Sequence, residues 1–142
     1  MINGHGDDAY RYTAIRANFS SNVYHRVNHD GLNRYLAGCL PCIRSYPEPE
    51  PYALAAELAQ LQGVSPEEVC VTNGATEAIY LIAQAFRGSH SAVWIPTFSE
   101  YADACRLHKH RVEGISSLEK LTDDEGIFWL CNPNNPTGQT WD

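Results

Sequence analysis

From residue 51 onward, apolar positions alternate between helix-like and strand-like spacing. Pro51 suits the first turn of a helix. Leu54, Leu58 and Leu61 follow at i, i+4 and i+7, and Gly63 supplies a stop. Ser65, Pro66 and Glu68 then form a capping box on a single turn. "VCVT" at 69–72 reads as a short β-branched strand. Ala75 to Phe86 reads as a helix with Ile79, Ile82 and Phe86 on one face, closed by Gly88. "AVWI" at 92–95 predicts the next strand, and "SEYADACRLH" at 99–108 predicts a helix with Tyr101, Cys105 and His108 on one stripe. "RVEGI" at 111–115 and "IFWLC" at 127–131 are two further strands. Strands alternating with helices imply a mainly parallel sheet with right-handed crossovers, so the expected class is α/β.

Before residue 51 the periodicity is weak. Residues 1–50 read as a loop-rich N-terminal arm or small subdomain, and 51–142 as the start of a sheet domain. "YPEPEP" at 46–51 marks the boundary, because three prolines at alternate positions hold the chain extended.

Composition then narrows the function classes. The chain has 142 residues, 44% of them hydrophobic, as in an ordinary soluble domain. A net charge of -7, with ten basic residues scattered along the chain, leaves no basic stripe for a phosphate backbone and argues against nucleic acid. No apolar run approaches the roughly 20 residues that cross a bilayer. The start, "MINGHGDDAY", lacks a signal pattern, so a cytoplasmic location with no membrane partner is expected. Five cysteines make an odd count and read as reduced thiols. "CLPC" at 39–42 is followed by "IRSYPEPEP" and not by the helix a redox pair requires, and nothing completes a four-ligand metal set around it. "HKH" at 108–110 reads as a solvated helix end.

In such sheets, ligands gather outside the carboxyl ends of the strands. After "VCVT" comes "NGATEAI", where Gly74 relaxes the backbone and the amides of Ala75 and Thr76 open a helix whose positive end favours an anion. That stretch is either a phosphate cradle or an ordinary cap and turn. After "AVWI", Phe98 of "PTF" offers either a flat stacking surface or one more core aromatic. After "IFWLC", the prolines of "NPNNPTG" at 132–138 must end the strand. Asn132, Asn134 and Asn135 there supply either amides to a ligand or turn chemistry. The functional reading gains from convergence: anion donors, an aromatic face and amides stand at three strand tips.

"NPNNPTG", with "VTNGATEAI" and "PTFSEY", resembles the pyridoxal-phosphate aminotransferases of fold type I, in the branch of histidinol-phosphate aminotransferase and threonine-phosphate decarboxylase. The resemblance extends from "HGDD" and "FSSN" through "SYPEPEP" to the last residues. It implies a three-layer α/β/α sheet domain and pyridoxal 5'-phosphate as cofactor. Asn135 would bond the ring hydroxyl, Ala75 and Thr76 would hold the phosphate, and Phe98 would stack on the pyridine ring. Tyr46 would reach the phosphate of the neighbouring subunit in a homodimer. His5 and Asn22 lie in segments similar to those that cover the substrate, a small phosphorylated amino acid. The "HG" start favours the decarboxylase side. The family's Schiff-base lysine lies beyond the "NPTG" motif, whereas this chain has only Lys109 and Lys120, both before it. The resemblance is therefore to an amino-terminal portion. The alternative is a non-catalytic phosphate-binding or interaction fragment.

Overall fold

The computed structural model describes residues 9–19, 26–124 and 126–142. The described residues divide into two compact units, one within 9–71 and the other within 72–142.

In the first unit, helix α1 spans Asp30–Cys39 and passes into a 3-10 turn over Leu40–Arg44. A helix was not expected here, where Gly31, Asn33 and Gly38 weaken the propensity. Two local signals nevertheless support it. The Asn28 side chain accepts from the Asp30 N–H at 2.8 Å, and Leu32, Tyr35, Leu36 and Cys39 recur at helical spacing. "CLPC" therefore starts on the last residue of α1, and all five cysteines of the chain are free. Helix α2, Tyr52–Gln62, ends at Gly63 with φ 68°, as its pattern predicts. The leucine stripe is not its buried face: Ala59 is 1% exposed, whereas Leu61 is 78% exposed. The capping box forms, with the Ser65 N–H donating to Glu68 Oε2 at 2.9 Å. Beside it, the Ser65 hydroxyl donates to Glu67 and holds that carboxyl below its usual range.

Residues 69–72 form no strand. Val69 has extended dihedrals, but no described strand lies alongside to complete a ladder, and β-branched composition alone cannot make one.

The second unit is built as expected. Helix α3, Ala75–Ala85, leads to β1, His90–Trp94; α4, Glu100–Leu107, leads to β2, Arg111–Ile115. Strand β3 is Ile127–Trp129, ending two residues before the expected limit because the prolines that follow turn the chain. The sheet order is β2-β1-β3 and both pairings are parallel, with Val93 opposite Gly114 and Trp129. Central β1 buries Ser91, Ala92 and Val93 in succession, as a strand covered on both faces must.

Ile79 and Ala83 of α3, Val93, Ala104 and Cys105 of α4, and Trp129 form one core. The small Ala83 of α3 and Ala104 of α4 are both fully buried in this core, whereas Ile82 and Phe86 are exposed, so the expected apolar stripe as a whole is not the buried face of α3. His110 is no solvated helix end. Its Nε2 donates to the Ala83 carbonyl at 2.8 Å, and its Nδ1 accepts from the Ser91 hydroxyl at 2.7 Å, so it is a buried and satisfied core histidine. Among the described residues no group of three or more His, Cys, Asp or Glu can hold a metal, and no helix is long and apolar enough to cross a membrane.

Candidate functional site

Helix direction places the anion donors. Near the end of α3, the Ala83 carbonyl meets His110, which leads into β2. One turn earlier, the Tyr80 hydroxyl donates at 2.8 Å to Glu100, the first residue of the helix that follows β1. Helix α3 thus runs antiparallel to β1, and its N-terminus lies toward the carboxyl ends of the strands. Gly74 precedes it with φ 83°, a left-handed value that glycine adopts without strain. Having no side chain, Gly74 leaves the helix start without a side-chain cap, and a Cβ at this position would meet no neighbouring atom. The Asn73 N–H and side-chain amide turn instead to the Glu77 carboxylate. The exposed Ala75 and Thr76 therefore begin a helix with donors directed at the sheet edge.

The β1 and β3 tips are joined directly. Asn134, 3% exposed, accepts from the Thr97 hydroxyl at 2.9 Å and donates to the Pro96 carbonyl at 2.9 Å and to Thr137 Oγ1 at 2.8 Å. Its backbone closes the turn, the N–H donating to the Gln139 carbonyl and the carbonyl accepting from the Gly138 N–H, both at 2.7 Å. Asn132 clasps Trp141, donating to its carbonyl at 2.8 Å and accepting from its N–H at 3.3 Å. Two of the three amides read as ligand donors are thus spent on the fold, because a proline-broken loop must satisfy its buried polar groups from its own side chains. Asn135 is half-buried and follows Asn134 on the same loop.

Phe98 settles between its two readings. Part of its ring packs on the core and stands edge-on to Tyr101, at 6.2 Å and 87°, while the residue stays half-buried. Tyr101, which sequence reasoning placed only on a helix stripe, backs this corner against Trp129 at 5.4 Å. Burial, with the Cys131 thiol as a further cause, pushes the Tyr101 hydroxyl up to about 12. Burial and the Glu100 carboxylate do the same for Tyr80. Both phenols stay protonated at neutral pH. Tyr46 belongs to the other unit and is 99% exposed. His5 and Asn22 lie outside the described residues.

The family model for aminotransferase class I and II matches residues 19–142. The chain belongs to that family. It is 30% identical over 132 residues to the threonine-phosphate decarboxylase of Salmonella typhimurium, covering 84% of this chain and 36% of that protein. It is 33% identical over 107 residues to the histidinol-phosphate aminotransferase of Halalkalibacterium halodurans, covering 66% and 28%. The crystal structure of L-threonine-O-3-phosphate decarboxylase from Porphyromonas gingivalis matches with a TM-score of 0.81 and 42% identity, over 87% of this chain and 39% of that one. The chain spans about a third of the length of the curated relatives it matches.

Family members in general use pyridoxal phosphate, and the residues present fit that group. A helix start without a side-chain cap suits the phosphate, a half-buried aromatic face suits the ring, and an amide on the adjoining loop suits a ring substituent. The lysines are placed differently. Lys109 occupies the α4–β2 turn with φ 66°, and the Gly88 N–H donates to the neighbouring His108 carbonyl, so this turn lies at the amino edge of the sheet. A five-residue strand, about 16 Å, separates it from the candidate site. Lys120 lies on the exposed turn Leu118–Lys120 within the β2–β3 crossover.

Proposed function

We propose that this chain is the cofactor-binding portion of a pyridoxal-phosphate enzyme acting on a small phosphorylated amino acid or amine, by decarboxylation of threonine phosphate or transamination of histidinol phosphate. One observation carries the reading: Phe98 and Asn135 sit on two strand-tip loops tied together at the edge toward which the uncapped start of α3 points. The names and identities of the relatives support the substrate class.

The cofactor, when bound, supplies an electron sink for charge developing on the substrate. The chain's own residues hold it. The Ala75 and Thr76 amides and the Thr76 hydroxyl take the phosphate, Phe98 covers the ring, and Asn135 bonds the ring hydroxyl and keeps the plane from rotating. Tyr46 completes the phosphate site of a partner subunit in a homodimer, and His5 and Asn22 belong to the segment over the substrate. The enzyme works in the cytoplasm.

A second reading, a non-catalytic phosphate-binding or interaction fragment, draws on the position of Lys109 at the opposite edge of the sheet. Intact mass before and after incubation with pyridoxal phosphate and borohydride separates the two. A mass well above 15.8 kDa with one cofactor trapped per chain is expected for the enzyme. A mass of 15.8 kDa with saturable phosphate binding and no adduct supports the fragment. Turnover of neither threonine phosphate nor histidinol phosphate by the full-length enzyme overturns the substrate assignment.

A further inference from the structure

We propose that Asn134 is the positioning residue that fixes Phe98 and Asn135 relative to each other without itself touching the cofactor. This rests on the cofactor site proposed above. The side chain of Asn134 bonds both loops at once, Thr97 and Pro96 on the Phe98 loop and Thr137 on its own. Thr97, bonded at 2.9 Å, precedes Phe98, and Asn134 itself precedes Asn135. The donation to the Pro96 carbonyl, also 2.9 Å, holds the same loop on the other side of Thr97. Thr137, which accepts the second amide proton at 2.8 Å, also accepts the Gln139 N–H at 3.3 Å and so closes the loop behind Asn135.

The demand on this side chain is specific. It must offer one acceptor to a hydroxyl and two donors to oxygens, on a short stem and at 3% exposure. Only asparagine meets that inventory, since aspartate loses both donors and faces the Pro96 carbonyl with a charge, and leucine loses every bond. The two loops come from strands joined by parallel pairing that stops at Val93 and Trp129, so beyond the ladder these side-chain bonds hold them in register. A ring sandwiched by one loop and hydrogen-bonded by the other feels any slip between them.

The test uses the full chain with Asn134→Asp, Thr97→Val and the conservative Thr97→Ser, read first without ligand by NMR. Asn134→Asp and Thr97→Val are expected to shift both the Phe98 ring signals and the Asn135 side-chain amide while leaving the Thr76 amide in place. Thr97→Ser, which keeps the hydroxyl, is expected to leave all three unchanged. Pyridoxal phosphate titrated into the same samples should bind about tenfold more weakly to the first two variants and normally to Thr97→Ser. Shifts confined to one loop, or a Thr76 signal that moves with the others, would overturn the proposal. Thr97→Val keeps the test decisive if Asn134→Asp does not fold. If the unaltered chain binds no pyridoxal phosphate, the cofactor reading of this chain fails, while the ligand-free signals still decide whether Asn134 couples the loops.

Discussion

The two units of this chain use their apolar residues in opposite ways. In 72–142 a helix pair and three strands bury Ile79, Ala83, Val93, Ala104, Cys105 and Trp129 together, and the candidate site stands on the rim of that core. In 9–71 Ala59 is the one buried hydrophobic residue among those described, while Tyr10, Phe19, Tyr35, Ile43 and Tyr46 are largely exposed. The first arrangement can hold side chains at fixed spacing because close packing leaves them nowhere to go. The second offers apolar and aromatic surface, the kind that association covers. Close packing is concentrated in one unit and exposed apolar surface in the other. That division agrees with the proposed roles of Phe98 and Asn135 on one side and of Tyr46 on the other.

The comparison can be broken most directly by truncating its best-packed member. Ile79→Ala should cost about 3 kcal/mol in urea unfolding, since the fixed helix pair cannot collapse into the space. A loss below 1 kcal/mol, smaller than a buried truncation allows, would mean that 72–142 is no better packed than 9–71. A smaller effect comes from Tyr80→Phe, which removes the bond to Glu100 and should cost about 1 kcal/mol at neutral pH. The pH dependence has a definite sign. Tyr80 and Tyr101 are raised from 10.0 to about 12, so the folded chain keeps protons that the unfolded chain has lost. Their contribution is complete below pH 10 and disappears as pH rises toward 12. Tyr80→Phe should flatten that decline in a pH series of melts, and an unchanged slope would remove Tyr80 from the account. The smallest effect belongs to the other unit: Leu61→Ala should change stability by less than about 0.5 kcal/mol, because the side chain is already in water.

Much of the fold was legible along the chain because its signals are local. Gly63 and Gly74 at positive φ, the Ser65 box, and strands at 111–115 and around 92–94 all depend on residues within a turn or two of one another. Helix α1 was obscured by its glycines, although the Asn28 bond to Asp30 is equally local. The site was legible as a set of residue types at strand tips and less so as a division of labour. The resemblance singled out Asn135, but the role of Asn134 could not be read from "NPNNPTG" alone, because two of the partners of its side chain lie 37 and 38 residues earlier.

By itself, then, the sequence determined the class, the helix and strand order of 72–142, and the three loops where polar chemistry gathers, all through periodicity, capping and proline, which act over a few residues. Tertiary structure decided which faces of α2 and α3 are buried, that His110 is a core residue bonded to Ala83 and Ser91, that 69–72 has no strand to pair with among the described residues, and that Asn134 bonds Thr97 and Pro96. Each of those outcomes depends on a partner far away in the chain, and a hydrogen-bond or packing partner exists only once the chain has brought it near.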